Sequence, residues 1–238
     1  MGISLTARFG LELNGDAMSD CFGDILWARV EGPARNWLEG AWPEADEAPA
    51  IVRFRAAFAG AARRLRGCQL RDEDVRTLTA AGVIGAGNWH IDNVARTALL
   101  RRALTTLPMD GHAEFVRQVY LRGDYREQAA VLHSLAFLPQ PEQYLELAID
   151  ACRTNVLDVF EAIACENAYP AAHFPDANFN QVVLKAIFMA VLVGRIADLA
   201  SRVTPELKRM VADFASERRA AGRAVPDDVD LIVNLNAA

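Results

Sequence analysis

Lysine is almost absent from this sequence, which contains 23 arginines but only two lysines, Lys185 and Lys208. Arginine binds through a planar, permanently charged fork, whereas lysine is a compact point charge whose pKa shifts readily on burial. In a chain that otherwise uses arginine for positive charge, a lysine within an apolar segment indicates that a point charge is needed there. Lys185 lies in such a segment, from Val182 to Gly194.

Signatures of metal binding are also missing. The four cysteines show no CxxC spacing and no clustered histidine partners, which favours free thiols in a reducing compartment over a zinc site. The sequence contains no HExxH, Walker or GxSxG motif. No metal and no cofactor is therefore predicted.

One glycine-rich segment, Gly82 to His90, has part of a dinucleotide-binding pattern. It lacks the third glycine, and no predicted β-strand precedes it. The segment is therefore predicted to be a turn between helices. Trp89 and His90 at its end are candidates for a pocket, because loops often carry such residues.

Long apolar runs and excess positive charge are absent as well. The net charge of −6 argues against nucleic acid as a partner. The longest apolar run has 13 residues and includes Lys185, so it is too short and too charged to span a bilayer. Arg8 and Glu12 stand where a signal peptide needs an apolar run. The sequence predicts a cytoplasmic protein without a membrane span.

Helical periodicity dominates the chain, and no segment shows convincing strand alternation. Capping residues and prolines predict helices over 19–40 (with Ser19 as N-cap), 51–66, 72–82, 92–107, 112–122, 124–138 and 141–152. Short connections between helices favour antiparallel neighbours. The expected fold is all-α: one domain over 1–238, built as an array of antiparallel helices that resembles an α-solenoid or an orthogonal bundle.

Polar residues concentrate between Arg153 and Arg195, a stretch predicted as a helix over 155–165, a proline-bounded loop and a very apolar second helix. In a compact helical fold these side chains would lie within about one domain diameter of each other. The stretch therefore predicts a polar pocket. Its candidate ligand-binding residues are Arg153, Asn155, Asn167, Tyr169, Asn180 and Gln181.

Lys185 stands out within this stretch. It shares one helix face with Asn178 and Gln181, at spacings i, i+3 and i+7, while the other faces are apolar, which predicts a buried helix. Burying an ammonium costs several kcal/mol unless it is paired. The carboxylates nearest in sequence are those of Glu161 and Glu166, which are therefore the expected partners.

Three residues of the stretch are candidates for catalysis. Lys185 has the chemistry of a nucleophile or proton donor, and Glu161 or His173 that of its base. Each also has a purely structural interpretation: a buried Lys–Glu pair, a solvated acid on an outer helix face, or a hydrogen-bonded histidine. The residues alone do not choose between these interpretations.

Three segments of the chain resemble the EboA family, which is named for a bacterial and algal operon associated with the assembly and traffic of secondary metabolites. They are RTNVLDVFEAIACENAYP from Arg153, HFPDANFNQVVLKAIF from His173 and AAGR from Ala220. The resemblance extends from Asn88 to Leu231, within a core over 91–238, whereas residues 1–90 are similar only in helical character. Ala168, Ser216 and Arg219 depart from the family pattern.

The resemblance implies a cytoplasmic, helical bacterial protein that serves a biosynthetic gene cluster. It implies no established reaction. Two functions follow as hypotheses. The first is non-catalytic binding of a small-molecule biosynthetic intermediate, or of another enzyme of the cluster, through the polar pocket. The second is a cofactor-independent lyase, cyclase or hydrolase that uses Lys185 with Glu161 or His173.

Overall fold

The computed structural model describes residues 20–44 and 51–235, and this part of the chain is helical and contains no β-strand. The prediction of an all-α fold is thereby confirmed. In the described ranges, fourteen α-helices follow one another: α1 Cys21–Arg29, α2 Gly32–Ala41, α3 Ile51–Arg64, α4 Asp72–Ala80, α5 Ile91–Thr105, α6 His112–Arg122, α7 Tyr125–Ser134, α8 Leu145–Ala151, α9 Leu157–Ala164, α10 Tyr169–His173, α11 Asp176–Phe188, α12 Leu199–Arg202, α13 Pro205–Ala220 and α14 Asp228–Asn234.

The central helix is α5. Its apolar residues point in all directions, and residues from Val94 to Leu100 are buried without interruption. This buried run covers nearly two helical turns, so neighbouring helices surround α5 on every side there. Helices α1, α3 and α7 pack against it, and α7 in turn packs against α6 and most extensively against α9. This packing places α9, the first helix of the polar stretch, close to the core.

The first predicted helix, over 19–40, is interrupted in the structure. It is divided into α1 and α2, because Gly32 adopts a φ of +53° and Pro33 follows it. Ser19, its predicted N-cap, lies outside the described residues. Asp20 caps α1 instead, accepting a hydrogen bond from the Gly23 amide at 3.3 Å.

The very apolar second helix is shorter and more exposed than predicted. Helix α11 ends at Phe188, and Ala190 turns the chain with a φ of +57°. Buried residues cover most of its surface, but its Asn178–Gln181–Lys185 face borders solvent and continues to Phe188, which is 74% exposed. Lys185 is therefore half-buried rather than withdrawn from water.

Within the described residues, no helix is both long and apolar enough to cross a membrane. A search of the same residues finds no group of three or more histidine, cysteine, aspartate or glutamate side chains arranged to hold a metal ion.

Candidate functional site

The polar stretch contributes to two separate cavities. The first, which we call the Arg195 cleft, has a volume of about 450 Å³, and its wall includes Trp89, His133, Glu161, Glu166 and Arg195. The second, which we call the Lys185 cavity, has about 370 Å³ and is lined by Ile149, Cys152, Arg153, Phe174, Asn178, Gln181, Val182 and Lys185. No lining residue is common to both. Both volumes are in the range of small-molecule sites.

Arg195 joins the two carboxylates that the sequence suggested as partners for Lys185. Its Nε and Nη2 donate to both carboxylate oxygens of Glu166 at 2.8 and 2.9 Å, and its Nη1 donates to Glu161 Oε2 at 2.6 Å. Such bidentate, charge-assisted bonds are short and geometrically specific. These bonds hold the pKa of the guanidinium above its usual value, Glu166 contributing most. The expected Lys185 pairing is therefore corrected: both acids bind Arg195.

A strained backbone at Glu166 supports this arrangement. Glu166 has a φ of +46°, a left-handed conformation that side chains other than glycine rarely adopt. Its backbone amide donates to the Arg195 carbonyl at 2.9 Å. Glu166 and Arg195 are therefore bonded through their backbones as well as through their side chains. Gly85, which also has a positive φ of +66°, packs against Glu166. A Cβ atom added at Gly85 would lie only 3.1 Å from Glu166 Cγ, which is too close. The glycine-rich segment is thus a turn, as predicted, and its shape admits the Glu166 side chain.

His133, on α7, is a cleft residue that sequence reasoning missed. Its ring lies 6.0 Å from that of Trp89, centroid to centroid, and none of the described residues forms a hydrogen bond with its nitrogens. Burial lowers its pKa to about 4, against the opposing effect of Glu166. His133 is therefore neutral at pH 7 and has one donor and one acceptor nitrogen for a ligand. A single histidine on an amphipathic helix gives no local signal of this role.

Trp89 and His90, which the sequence analysis marked as candidates for a pocket, both line the cleft. Asn93 accepts a hydrogen bond from the His90 amide at 2.9 Å and so fixes the start of α5 at the cleft wall. Arg96 is neutralised by Asp92 at 2.9 Å. The wall therefore combines an aromatic face, side-chain amides and a mostly paired set of charges.

Lys185 has a different environment from Arg195. Its Nζ donates to the Thr154 carbonyl at 2.5 Å and lies 5.4 Å from the centre of the Phe160 ring. No carboxylate of the described residues lies within ion-pair distance of it. Asn178 and Gln181 line the same cavity, as their helical spacing predicted. The described residues accept one hydrogen bond from Nζ, so two of its three N–H donors are not used by them.

The other predicted binding residues are distributed differently. Arg153 lines the Lys185 cavity and pairs with Asp150 at 2.8 Å, whereas Asn155 is exposed on the connection before α9. Asn180 is buried on α11, with its Nδ2 4.0 Å from Met210 Sδ, and its Oδ1 has no hydrogen-bond partner among the described residues. These residues do not converge on one point.

Asn167 and Tyr169 hold the loop between α9 and α11. The Asn167 amide nitrogen donates to the carbonyls of Leu132 and Ala162 at 3.0 and 2.8 Å, and its oxygen accepts from the Tyr169 amide at 2.9 Å. The Tyr169 hydroxyl donates to the Pro141 carbonyl at 2.6 Å, and burial raises its pKa. Because protein groups fill these bonds, both residues position the backbone next to Glu166.

His173 lines neither cavity. Its ring packs on Tyr169, with centroids 4.6 Å apart, and burial lowers its pKa below the ordinary value. The three candidates for catalysis thus occupy three settings: Glu161 in the Arg195 cleft, Lys185 in its own cavity, and His173 against Tyr169.

A comparison with models of protein families identifies the family of the chain. The model of one family, described as metabolite traffic protein EboA, matches residues 18–234. This match includes the N-terminal helices, for which the sequence motifs had shown no specific resemblance. Searches of curated proteins and of solved structures give no match. Because the family match spans nearly the whole sequence, the chain belongs to the EboA family.

Proposed function

We propose that this chain is a non-catalytic carrier that binds a small-molecule biosynthetic intermediate in the Arg195 cleft. The observation that supports this most is the way the cleft is held in shape. Arg195, in the segment after α11, binds both Glu161 on α9 and Glu166 just after α9, so ion pairs within the chain hold this part of the wall in place. A preformed site loses less conformational entropy on binding than one that must first be ordered.

The wall chemistry favours a ligand with a flat apolar part and hydrogen-bonding groups. Trp89 offers an aromatic face, and neutral His133 beside it offers a ring nitrogen. Glu161 uses only Oε2 for Arg195, which leaves Oε1 as an acceptor. An aromatic wall with a few converging polar groups is the usual composition of a small-molecule site.

A carrier is favoured over an enzyme by the positions of the candidate catalytic groups. Lys185, Glu161 and His173 do not line one cavity, so no nucleophile and base among them are within reach of the same bound atom. The family description, metabolite traffic, agrees with a carrier. The proposal extends to the setting: a bacterial, cytoplasmic protein of a secondary-metabolite cluster that passes its ligand to another enzyme of that cluster.

The test is native mass spectrometry of the chain with intermediates extracted from its own host, followed over time for chemical change. We expect binding without turnover, and loss of binding in Trp89→Ala and Arg195→Met. Arg209→Met is the matched control, because Arg209 also pairs with two carboxylates, Glu206 and Asp213, on the exposed face of α13. Turnover by the wild type that disappears in Lys185→Ala would overturn the carrier and support the enzyme.

A further inference from the structure

The Lys185 cavity has an unbalanced charge. Among its eight lining residues there are two cations, Lys185 and Arg153, and two side-chain amides, Asn178 and Gln181, but no acid. Arg153 is partly neutralised by Asp150, an exposed residue outside the lining. Lys185 has no acidic partner among the described residues, whose charges therefore leave its ammonium uncompensated in the cavity.

The contacts of Lys185 position its charge without neutralising it. The Thr154 carbonyl accepts one hydrogen bond at 2.5 Å, and the face of Phe160 lies 5.4 Å from Nζ. A carbonyl dipole and an aromatic ring both attract a cation, but neither supplies negative charge. No other hydrogen bond of Nζ goes to a described residue, so two N–H donors remain for a group entering the cavity.

The thiol in the cavity wall does not act as a counter-ion. Cys152 lines the same cavity, and burial raises its pKa to about 12, although Lys185 opposes this shift. At neutral pH the thiol is protonated and its Sγ donates to the Ala148 carbonyl at 3.2 Å. The positive charge inside the cavity is therefore available to a ligand.

The rest of the wall is apolar. Ile149 on α8, Phe174 after α10 and Val182 on α11 face the cavity beside the polar groups. An anion with a hydrocarbon part would place its charge on Lys185, accept hydrogen bonds from the amides and bury its apolar part against this wall. Inorganic anions would gain only the first two of these contacts.

We infer that the Lys185 cavity is a second binding site, distinct from the Arg195 cleft, for small organic anions that combine a carboxylate or phosphate with an apolar part. The inference does not rest on the proposed carrier function, since the two cavities share no residue. Either site can be occupied while the other is empty.

The scarcity of lysine makes this inference directly testable. Lys185 and Lys208 are the only lysines that an amine-specific acetylating reagent can modify. With the reagent in limiting amount, peptide mass spectrometry of one sample gives the acetylation rate of each lysine. Lys208 is an internal control, because its Nζ donates to the Val233 carbonyl at the end of α14. The probes are octanoate, octyl phosphate, inorganic phosphate and the uncharged analogue octan-1-ol.

We expect octanoate or octyl phosphate at about ten times its Kd to slow acetylation of Lys185 about tenfold and to leave Lys208 unchanged. Inorganic phosphate should protect less, and octan-1-ol least. Calorimetric titration of the better probe should show binding weakened at least about tenfold in Lys185→Met but unchanged in Lys208→Met.

Three outcomes would overturn the inference: no protection of Lys185 by either organic anion, equal protection of both lysines, or protection by octan-1-ol as strong as by octanoate. Gln181→Ala keeps the result interpretable if Lys185→Met fails to fold, because Gln181 is exposed on the same face of α11. Binding of the organic anion should weaken in this variant too, and unchanged affinity would count against the site.

Discussion

The two cavities differ in how the protein treats positive charge. Arg195 forms three hydrogen bonds to two carboxylates, one on α9 and one just after it, whereas Lys185 has one carbonyl and an aromatic face. A guanidinium that is fully paired holds two elements together, and removing it leaves two acids side by side. A cation without a carboxylate contributes little to folding and remains available for binding. The comparison separates a structural charge from a functional one.

The loop that carries Glu166 gives the largest expected effect. Asn167→Ala should lower the free energy of unfolding by about 3 kcal/mol, because the Ala162 carbonyl and the Tyr169 amide lose the partner that Asn167 provides. The Leu132 carbonyl loses one hydrogen bond but keeps that from the Leu135 amide. Urea denaturation measures the change. The control is Asn155→Ala, at an exposed position where a change within about 0.5 kcal/mol is expected. An equal loss of stability in Asn167→Ala and Asn155→Ala would show that Asn167 does not hold the loop in place.

Stability near the Arg195 cleft should depend on pH through His133. Its pKa of about 4 in the folded protein is below that of the unfolded chain, so the unfolded state takes up a proton first as the pH falls. The part of the free energy of unfolding that comes from His133 staying neutral in the fold is fully present above about pH 6.5 and is lost as the pH falls towards 4. Between pH 7 and 5 the loss should be about 2 kcal/mol.

Urea midpoints of the wild type and His133→Gln at both pH values test this dependence. The shift of His173 has the same sign and remains in both proteins, so the difference between them isolates His133. An identical pH dependence of the two proteins would show that His133 is already solvated in the folded state.

Arg195→Met should lower the free energy of unfolding by about 1–2 kcal/mol, a value reduced by the 37% exposure of its side chain. The cause is repulsion between the carboxylates of Glu161 and Glu166. Adding Glu166→Gln should restore part of the loss, which a double-mutant cycle measures. Arg209→Met, with the same number of acidic partners on an exposed surface, should change stability by less than about 0.5 kcal/mol. If Arg209→Met lowers the free energy of unfolding more than Arg195→Met does, Arg195 is not the structural charge that the contrast with Lys185 requires.

Lys185→Met should have the smallest effect, between no change and a stabilisation of about 1 kcal/mol. The methionine places an uncharged side chain beside the Phe160 ring, and no carboxylate of the described residues loses a partner. Thermal unfolding monitored by circular dichroism provides the measurement. A loss of more than about 2 kcal/mol would mean that Lys185 is a structural residue like Arg195.

The parts of the site that the sequence predicted are local ones. Asn178, Gln181 and Lys185 share a cavity wall because three and seven residues along a helix return to the same face. The turn from Gly82 to His90 was predicted from its glycines and from the absence of a preceding strand. Trp89 and His90 at its end do line a cavity.

The parts that the sequence did not predict depend on distant segments. Arg195 meets Glu161 across 34 positions and Glu166 across 29, because the chain turns at Ala190 and returns to the Glu166 backbone. Nearness in sequence favoured Lys185 as the partner of these acids. His133 enters the cleft only because α7 packs against α9. No periodic pattern in the sequence predicts any of these contacts.

The sequence alone determined the helical class, the position of most helices and the unusual scarcity of lysine. Each of these follows from residue types or from the 3.6-residue period within one segment. The tertiary structure decided which cation the acids bind, and it divided one polar stretch into two cavities of opposite character. These outcomes depend on the path of the chain between helices, where single residues in left-handed conformations, Glu166 and Ala190, set the direction.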